Sequence, residues 1–368
     1  MAEAPGRRAA RFHPLPVASI ERLTDDAVAV TFLVPDELTD EYVFEPGQHL
    51  TVRAQIGDEQ VRQSYSICQS RNARGRSNTR RVAVARVPEG RMSNWINDEL
   101  RPGDVVEVMT PLGSFTCPTQ PSGIRNHVAL AAGSGITPVI SLLTTALEEE
   151  PKSRATLLFG NRRTNSIMFL EELEDLKNRF PGRFQLVNVL SREVQDVELF
   201  SGRLDPERVE RILTALVPVS TVDEWYLCGP FGMVTGTESL LKERGVEGRH
   251  IHYEIFHVDD GTEARRKVVV DESAPPEATV TINLDGRTTV VPMPSKEETI
   301  LDAALRVRPD VPYSCTNGVC GTCRARLVSG EVRMDRNYAL EPEEVKAGIV
   351  LTCQSHPVTD EVALDYDA

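Results

Sequence analysis

The stretch Tyr313-Ser314-Cys315-Thr316-Asn317-Gly318-Val319-Cys320-Gly321-Thr322-Cys323, answered by Cys353 further on, decides what the C-terminal part of this chain is built around. Its spacing is C-x4-C-x2-C-x29-C. Three thiols in one tight loop and a fourth on a separate element suit a [2Fe–2S] cluster, because four thiolates must converge on two irons. Gly318 and Gly321 let the backbone turn closely, so that its N–H groups can point at sulfur. Structural zinc usually takes two C-x2-C pairs or histidines, and one pair is present here. The chain has seven cysteines; Cys68, Cys117 and Cys228 lie scattered outside this group. An odd, clustered set points to metal or redox work and not to a disulfide frame.

Around the loop, residues 278–368 form a block of their own. Residues 278–284 and 288–292 alternate like strands and flank Asp285-Gly286, a hairpin signal. Ser295 with Glu298 reads as a capping box that opens a helix running to Val307. The block carries 14 acidic and 9 basic residues, and Asp360, Glu361, Asp365 and Asp367 crowd its end. That tail reads either as an electrostatic docking face or as a solvated acidic terminus. Before it, residues 258–277 are polar, charged and carry Pro275-Pro276, which reads as a linker.

The rest of the chain splits in two. Residues 10–120 hold short β-like runs at 28–32, 49–56, 81–87 and 105–109, separated by Pro-Gly turns, which predicts an antiparallel barrel or sandwich. Residues 121–257 alternate. Strand-like runs at 127–133, 155–160, 184–190, 224–229 and 250–256 are interleaved with helical patterns at 137–150 and 166–180. Thr137 reads as the N-cap of the first helix, with Pro138 behind it. Such alternation means a parallel sheet with helices on its faces. In all, 368 residues with 40% hydrophobic and 26% charged content suit a globular protein of two or three domains. A formal net charge of −14 disfavours nucleic acid and anionic lipid as partners. No run of about 20 apolar residues predicts a membrane span. The first residues lack the apolar core of a secretory signal, and the thiols favour reducing conditions, so a cytoplasmic location is expected.

Three motif groups carry a resemblance. The cysteine block resembles the plant-type ferredoxin domain over its whole length. Glu45-Pro46-Gly47-Gln48-His49-Leu50, Arg62-Gln63-Ser64-Tyr65-Ser66-Ile67-Cys68 and Gly90-Arg91-Met92-Ser93 are similar to motifs of the ferredoxin–NADP reductase superfamily. That likeness implies a six-stranded flavin barrel binding FAD. Tyr65 and Ser66 would face the isoalloxazine. Gly90, Met92 and Ser93 would hold the pyrophosphate at a helix N-terminus. Ile67, Ala83 and Val84 would lend backbone contacts. Two positions depart from the superfamily pattern. Gln63 stands where an arginine is usual, with Arg62 one place earlier, and Ala85 stands where a lysine is usual, followed by Arg86. A one-residue shift in a strand turns a side chain to the other face.

Gly133, Gly135 and Thr137 close the first parallel strand, where glycines let backbone approach a pyrophosphate. Tyr226-Leu227-Cys228-Gly229-Pro230-Phe231-Gly232-Met233 is similar to the superfamily's C-G-P-x-x-M, whose cysteine lies by the nicotinamide. Arg162, Ser191 and Arg192 follow the second and third strands. There arginine would pair with a 2′-phosphate, which favours NADPH over NADH; solvated surface arginines are the alternative. The order of flavin, nucleotide and ferredoxin blocks resembles reductases of multicomponent oxygenases. It implies electron flow from NAD(P)H through FAD and the cluster, bound by Cys315, Cys320, Cys323 and Cys353, to a separate oxygenase. A steroid or aromatic-ring hydroxylase would serve as partner equally well on fold grounds. A one-electron carrier with a lapsed flavin site is the reading from another class, and rests on Gln63 and Ala85.

Overall fold

Residues 10–73, 78–257, 268, 270, 271 and 273–368 are described by a computed structural model. The chain divides into two compact units, one made of Phe12–Val61 with the residues from Tyr65 to the end of the parallel sheet, and one built on the C-terminal block, to which Arg62–Ser64 are also assigned.

The larger unit opens with six strands. They are β1 (Phe12–Thr24), β2 (Ala27–Leu33), β3 (His49–Ile56), β4 (Glu59–Ser66), β5 (Thr79–Ala85) and β6 (Val105–Met109), with α1 (Arg91–Asp98) inserted before the last. Their order is β4-β3-β6-β1-β2-β5. The edges meet just past β4, where Ile67 bridges Val82 and Cys68 N–H donates to Arg81 O, so the sheet closes. Alternation places Leu15, Val17, Val28, Val30, Val52 and Val108 inside, fully buried. The expected antiparallel barrel is therefore present. The runs read at 49–56 and 105–109 match β3 and β6, while β1 and β4 had no clean apolar alternation to announce them.

The parallel sheet follows in the order β11-β10-β7-β8-β9. Its strands are β7 (Asn126–Ala132), β8 (Arg154–Asn161), β9 (Phe184–Leu190), β10 (Glu224–Pro230) and β11 (Ile251–His257). Four helices connect them: α2 (Ile136–Glu149), α3 (Leu170–Arg179), α4 (Pro206–Leu216) and α5 (Phe231–Glu243). The chain moves outward from β7 to β9, then returns to β7's other side with β10. Hence β7 and β10 flank the crevice where such sheets bind ligands. Two helix starts differ from expectation. A 3-10 turn at Gly133–Gly135 leads into α2, so Gly135 and not Thr137 is the N-cap. Thr137 instead donates its hydroxyl to Ser134 O at 3.0 Å. The predicted helix from 166 begins at Leu170, because Phe169 takes a left-handed φ of 60° that interrupts the turn before it. Barrel residues Ala27, Ala29, Cys68, Ala83 and Phe115 share one core cluster with Ile136, Val139 and Leu143 of α2.

The smaller unit packs α6 (Ile300–Val307) on a five-stranded sheet ordered β13-β12-β18-β14-β16. The strands are β12 (Ala278–Leu284), β13 (Arg287–Met293), β14 (Arg324–Ser329), β16 (Ile349–Leu351) and β18 (Glu361–Asp365). β15 (Val332–Met334) pairs with β17 (Ser355–Pro357), and α7 (Pro342–Lys346) sits between β15 and β16 in sequence. The hairpin turn has Asp285 and Gly286 at φ 53° and 67°, as a type I′ turn requires. The expected capping box at Ser295 does not form. The helix starts at Ile300 with Thr299 as N-cap, accepting from Asp302 N–H at 3.3 Å. Glu298 is buried and forms an ion pair with Arg306. Most of the linker read at 258–277 lies outside the described residues. No helix among the described residues is long and apolar enough to cross a membrane.

Candidate redox site

The cysteine loop holds its shape through left-handed residues: Thr316 at φ 55°, Gly318 at 75° and Gly321 at 65°. A Cβ on Gly318 would come within 3.1 Å of Arg336 O, a tight approach that adds to the demand of its φ for glycine. Cys315 Sγ accepts from the N–H groups of Cys320 at 3.3 Å and Asn317 at 3.5 Å. Cys320 Sγ accepts from Thr322 N–H at 3.5 Å. The loop thus aims amides at sulfur, as its spacing requires. Cys315 lies against Cys320, and Cys323 against Cys353, which gives two pairs of thiols. Ser314 Oγ, buried beside Cys315, makes no hydrogen bond. Two thiol pairs, inward amides and an unpartnered hydroxyl fit a two-iron cluster: one pair for each iron and donors left for its sulfides.

On the flavin side, Ser66 is buried at the end of β4, and Tyr65 packs against the barrel core with its hydroxyl buried and unpartnered. Burial raises that phenol's pKa further, so it stays a neutral donor. Gly90 is the N-cap of α1 and lacks room for a Cβ, which would meet Ser93 Oγ at 2.5 Å. Ser93 Oγ accepts from Val87 N–H and donates to Gly90 O, both at 3.2 Å. This braces the loop in front of the helix N-terminus, where amide dipoles favour an anion. Met92 is buried within the first turn of α1. Ala83 and Val84 lie in β5, Ile67 just beyond β4. Arg62 is buried in β4; strand alternation gives it the face of Ser64 and Ser66, and gives Gln63 the face of Tyr65. Arg86 is engaged elsewhere, with both terminal nitrogens on Asp98.

At the nucleotide crevice two turns meet. A Cβ on Gly135 would sit 2.2 Å from Cys228 O, so only glycine lets the Gly133–Gly135 turn lie against the end of β10. A Cβ on Gly229 would likewise strike Met233 Cε at 2.8 Å. β5 of the barrel packs against the same Gly133–Gly135 turn, which brings the flavin strands to the nucleotide crevice. Cys228 is fully buried; burial first, then the nearby Glu254 carboxylate, push its thiol well above the usual range. It is therefore a neutral, polarisable wall and not a nucleophile. Glu254 is its register partner on β11, a pairing that composition alone does not signal. Pro230 follows as the N-cap of α5.

The ends of β8 and β9 bring two arginines together. Arg192 N–H donates to Arg162 O at 2.8 Å, and Ser191 N–H to Asn161 O at 2.9 Å. Arg162 and Arg192 are exposed, and neither guanidinium meets a carboxylate among the described residues. Asn161 Nδ2, buried beside them, has no partner. A pair of free guanidinium groups next to a free amide suits a phosphorylated ribose.

These features define a flavin- and nucleotide-dependent oxidoreductase carrying an iron–sulfur module. Three families match in turn: the oxidoreductase FAD-binding domain over residues 14–117, the oxidoreductase NAD-binding domain over 129–239, and the 2Fe-2S iron-sulfur cluster binding domain over 282–358. The chain is 42% identical over 357 residues to a subunit of the 1,2-phenylacetyl-CoA epoxidase of Escherichia coli K12, covering 97% of this chain and 98% of that one. It is 33% identical to the ferredoxin reductase component of the 3-ketosteroid-9-alpha-monooxygenase of Rhodococcus rhodochrous, covering 96% of each. In fold it is similar to phthalate dioxygenase reductase, with a TM-score of 0.55, 23% identity, and coverage of 96% and 98%. The chain belongs to the family of oxygenase reductases that bind FAD, a pyridine nucleotide and a [2Fe–2S] cluster.

Proposed function

We propose that this reductase draws on NADPH and serves the oxygenase of a phenylacetyl-CoA epoxidase, in the cytoplasm. The partner rests on one observation, the 42% identity carried across both full chains. The 33% likeness to a steroid monooxygenase reductase is the weaker pointer to the alternative. We assign domain limits of 10–120, 121–257 and 278–368, joined by 258–277.

When bound, the nicotinamide, flavin and cluster supply hydride acceptance and its division into single electrons. The protein's share is position. Tyr65 and Cys228 would wall the flavin and nicotinamide edges, Ser66 would donate a hydrogen bond there, and the burial of Ser66 and Cys228 keeps water out. Gly90, Met92 and Ser93 hold the flavin pyrophosphate on α1. With Arg62 on the face away from Tyr65 and Arg86 on Asp98, helix amides carry that anion where the superfamily uses side-chain charge. Gly133, Gly135, Thr137, Gly229, Pro230 and Met233 shape the nucleotide crevice. Arg162, Ser191 and Arg192 receive the 2′-phosphate. Cys315, Cys320, Cys323 and Cys353 hold the cluster.

The test is anaerobic bleaching of the flavin and cluster bands by NADPH and NADH in parallel. NADPH should act at lower concentration. Arg162→Ala with Arg192→Ala should raise its KM at least tenfold, on the scale of two lost charged hydrogen bonds, and leave NADH unmoved. Equal effects on both nucleotides would remove the 2′-phosphate assignment. Adding purified oxygenase subunits with phenylacetyl-CoA should then give substrate-dependent NADPH consumption; its absence would leave the steroid-type partner as the better reading.

A further inference from the structure

At the N-terminal edge of the parallel sheet, opposite the nucleotide crevice, a second group of donors gathers that electron transfer does not use. Cys117 lies on the connector between β6 and β7, Glu224 opens β10, and His252 is the second residue of β11. Their ligand atoms all lie within 4.8 Å of one another. Cys117 stands more than a hundred positions before the other two in the sequence. Glu224 stands four residues before Cys228, so about 13 Å of strand separates the group from the nicotinamide wall.

We propose that Cys117, Glu224 and His252 bind a borderline divalent transition-metal ion, zinc foremost, that ties the connector to the sheet edge. The donor set is one thiol, one carboxylate and one imidazole, a combination that zinc accepts and that magnesium or calcium does not. Glu224 is oriented for the task. Its Oε1 faces Arg125 Nη1 at 3.6 Å, while Oε2 lies 2.9 Å from His252 Nε2. Arg125 Nη1 also lies 3.5 Å from Cys117 Sγ, so one guanidinium steadies two ligands from outside. Arg125 is itself held by the buried carboxylate of Glu150, which cancels its charge. Thiolate and carboxylate then remain to balance a dication. Tyr226 supports the His252 ring by stacking, with centroids 5.4 Å apart. A further donor is His250 Nδ1, buried, without a hydrogen bond among the described residues and 3.6 Å from Glu224 Oε2. His250 ends the 3-10 turn just before β11, two residues from His252. The fourth position therefore falls to His250 or to water.

The experiment uses the holoenzyme, loaded with flavin and cluster, and zinc chloride as probe. After desalting, metal analysis should find one zinc per chain above an undiminished two irons. Zinc-edge X-ray absorption should show a single sulfur neighbour at about 2.3 Å and nitrogen or oxygen neighbours near 2.0 Å. Cys117→Ser and His252→Gln should each weaken zinc binding at least tenfold, and Cys68→Ser, a buried thiol elsewhere, should not. Flavin content verifies that each variant has folded, and the wild-type absorption spectrum decides the matter if one has not. No retained zinc, a shell of four sulfurs with loss of iron, or equal retention by Cys117→Ser and His252→Gln would each overturn the site.

Discussion

His49 shows how one residue's surroundings set its chemistry. It sits in the Pro46-Gly47-Gln48-His49-Leu50 motif, is 2% exposed, and exchanges backbone hydrogen bonds with Leu112. Gly113, at φ 121°, lies so close that a Cβ there would sit 3.0 Å from His49 Nδ1. Burial lowers the imidazole pKa to about 4. In the unfolded chain the same group titrates near 6.5. Between these values the unfolded state holds the extra proton, so stability rises with pH across that window and is lost as pH falls from about 6.5 to about 4. The full loss is roughly 3 kcal/mol. Denaturant unfolding measured from pH 7.5 down to 4.5 should show this slope. His49→Gln should flatten it while lowering stability overall. An unchanged slope in the variant would assign the effect to other groups. The motif was legible at this scale, as were the four thiols and Gly135. That His49 is sealed from solvent was not, since its neighbour Gly113 arrives from a different loop.

Elements were legible wherever one local signal stood alone. β3, β6, β9 and β12 fall where their alternation placed them. Where two local signals competed, tertiary contacts chose. Ser295 and Thr299 are both good caps for the helix of the smaller unit. Burying Glu298 in its ion pair with Arg306 removes the carboxylate that a box at Ser295 needs, and the helix begins later. Thr299→Ala should therefore cost about 1 kcal/mol, and Ser295→Ala less than about 0.5. Thermal unfolding of the two variants distinguishes them, and a larger loss from Ser295→Ala would restore the earlier start. The acidic C-terminal tail also has a structural role at this scale. Asp367 accepts from the N–H groups of Asp285 at 2.8 Å and Gly286 at 2.9 Å, so it caps the β12–β13 turn. Asp360 pairs with Lys296, and Asp365 accepts from Asn283. Three of the four carboxylates that crowd the end of the chain thus make bonds within the unit that carries them.

At the scale of the whole molecule, the smaller unit has its own core, from Ala278 to Tyr366, apart from the barrel interior and from the core that the barrel and parallel sheet share. A core that closes separately in the smaller unit predicts that electron entry and electron exit separate too. A chain ending at residue 257 should fold, bind FAD, and reduce ferricyanide with NADPH. It should lose at least nine-tenths of its transfer to a one-electron protein acceptor. Failure of the shortened chain to bind flavin would show that the first unit depends on the second for stability.

The sequence by itself determined the chemistry that local spacing can carry. Thiols set for two irons, glycines where backbone must pass backbone, the type I′ turn, and the alternation of strands and helices all depend on neighbours a few residues away. Tertiary structure decided which charges are free and which are engaged. It left Arg162 and Arg192 side by side with no carboxylate partner among the described residues, drew Arg86 onto Asp98, folded Asp367 back onto a turn, and brought Cys117, Glu224 and His252 to one sheet edge. Those outcomes rest on electrostatics and desolvation between groups distant in the chain, and such terms take their values only once burial is known.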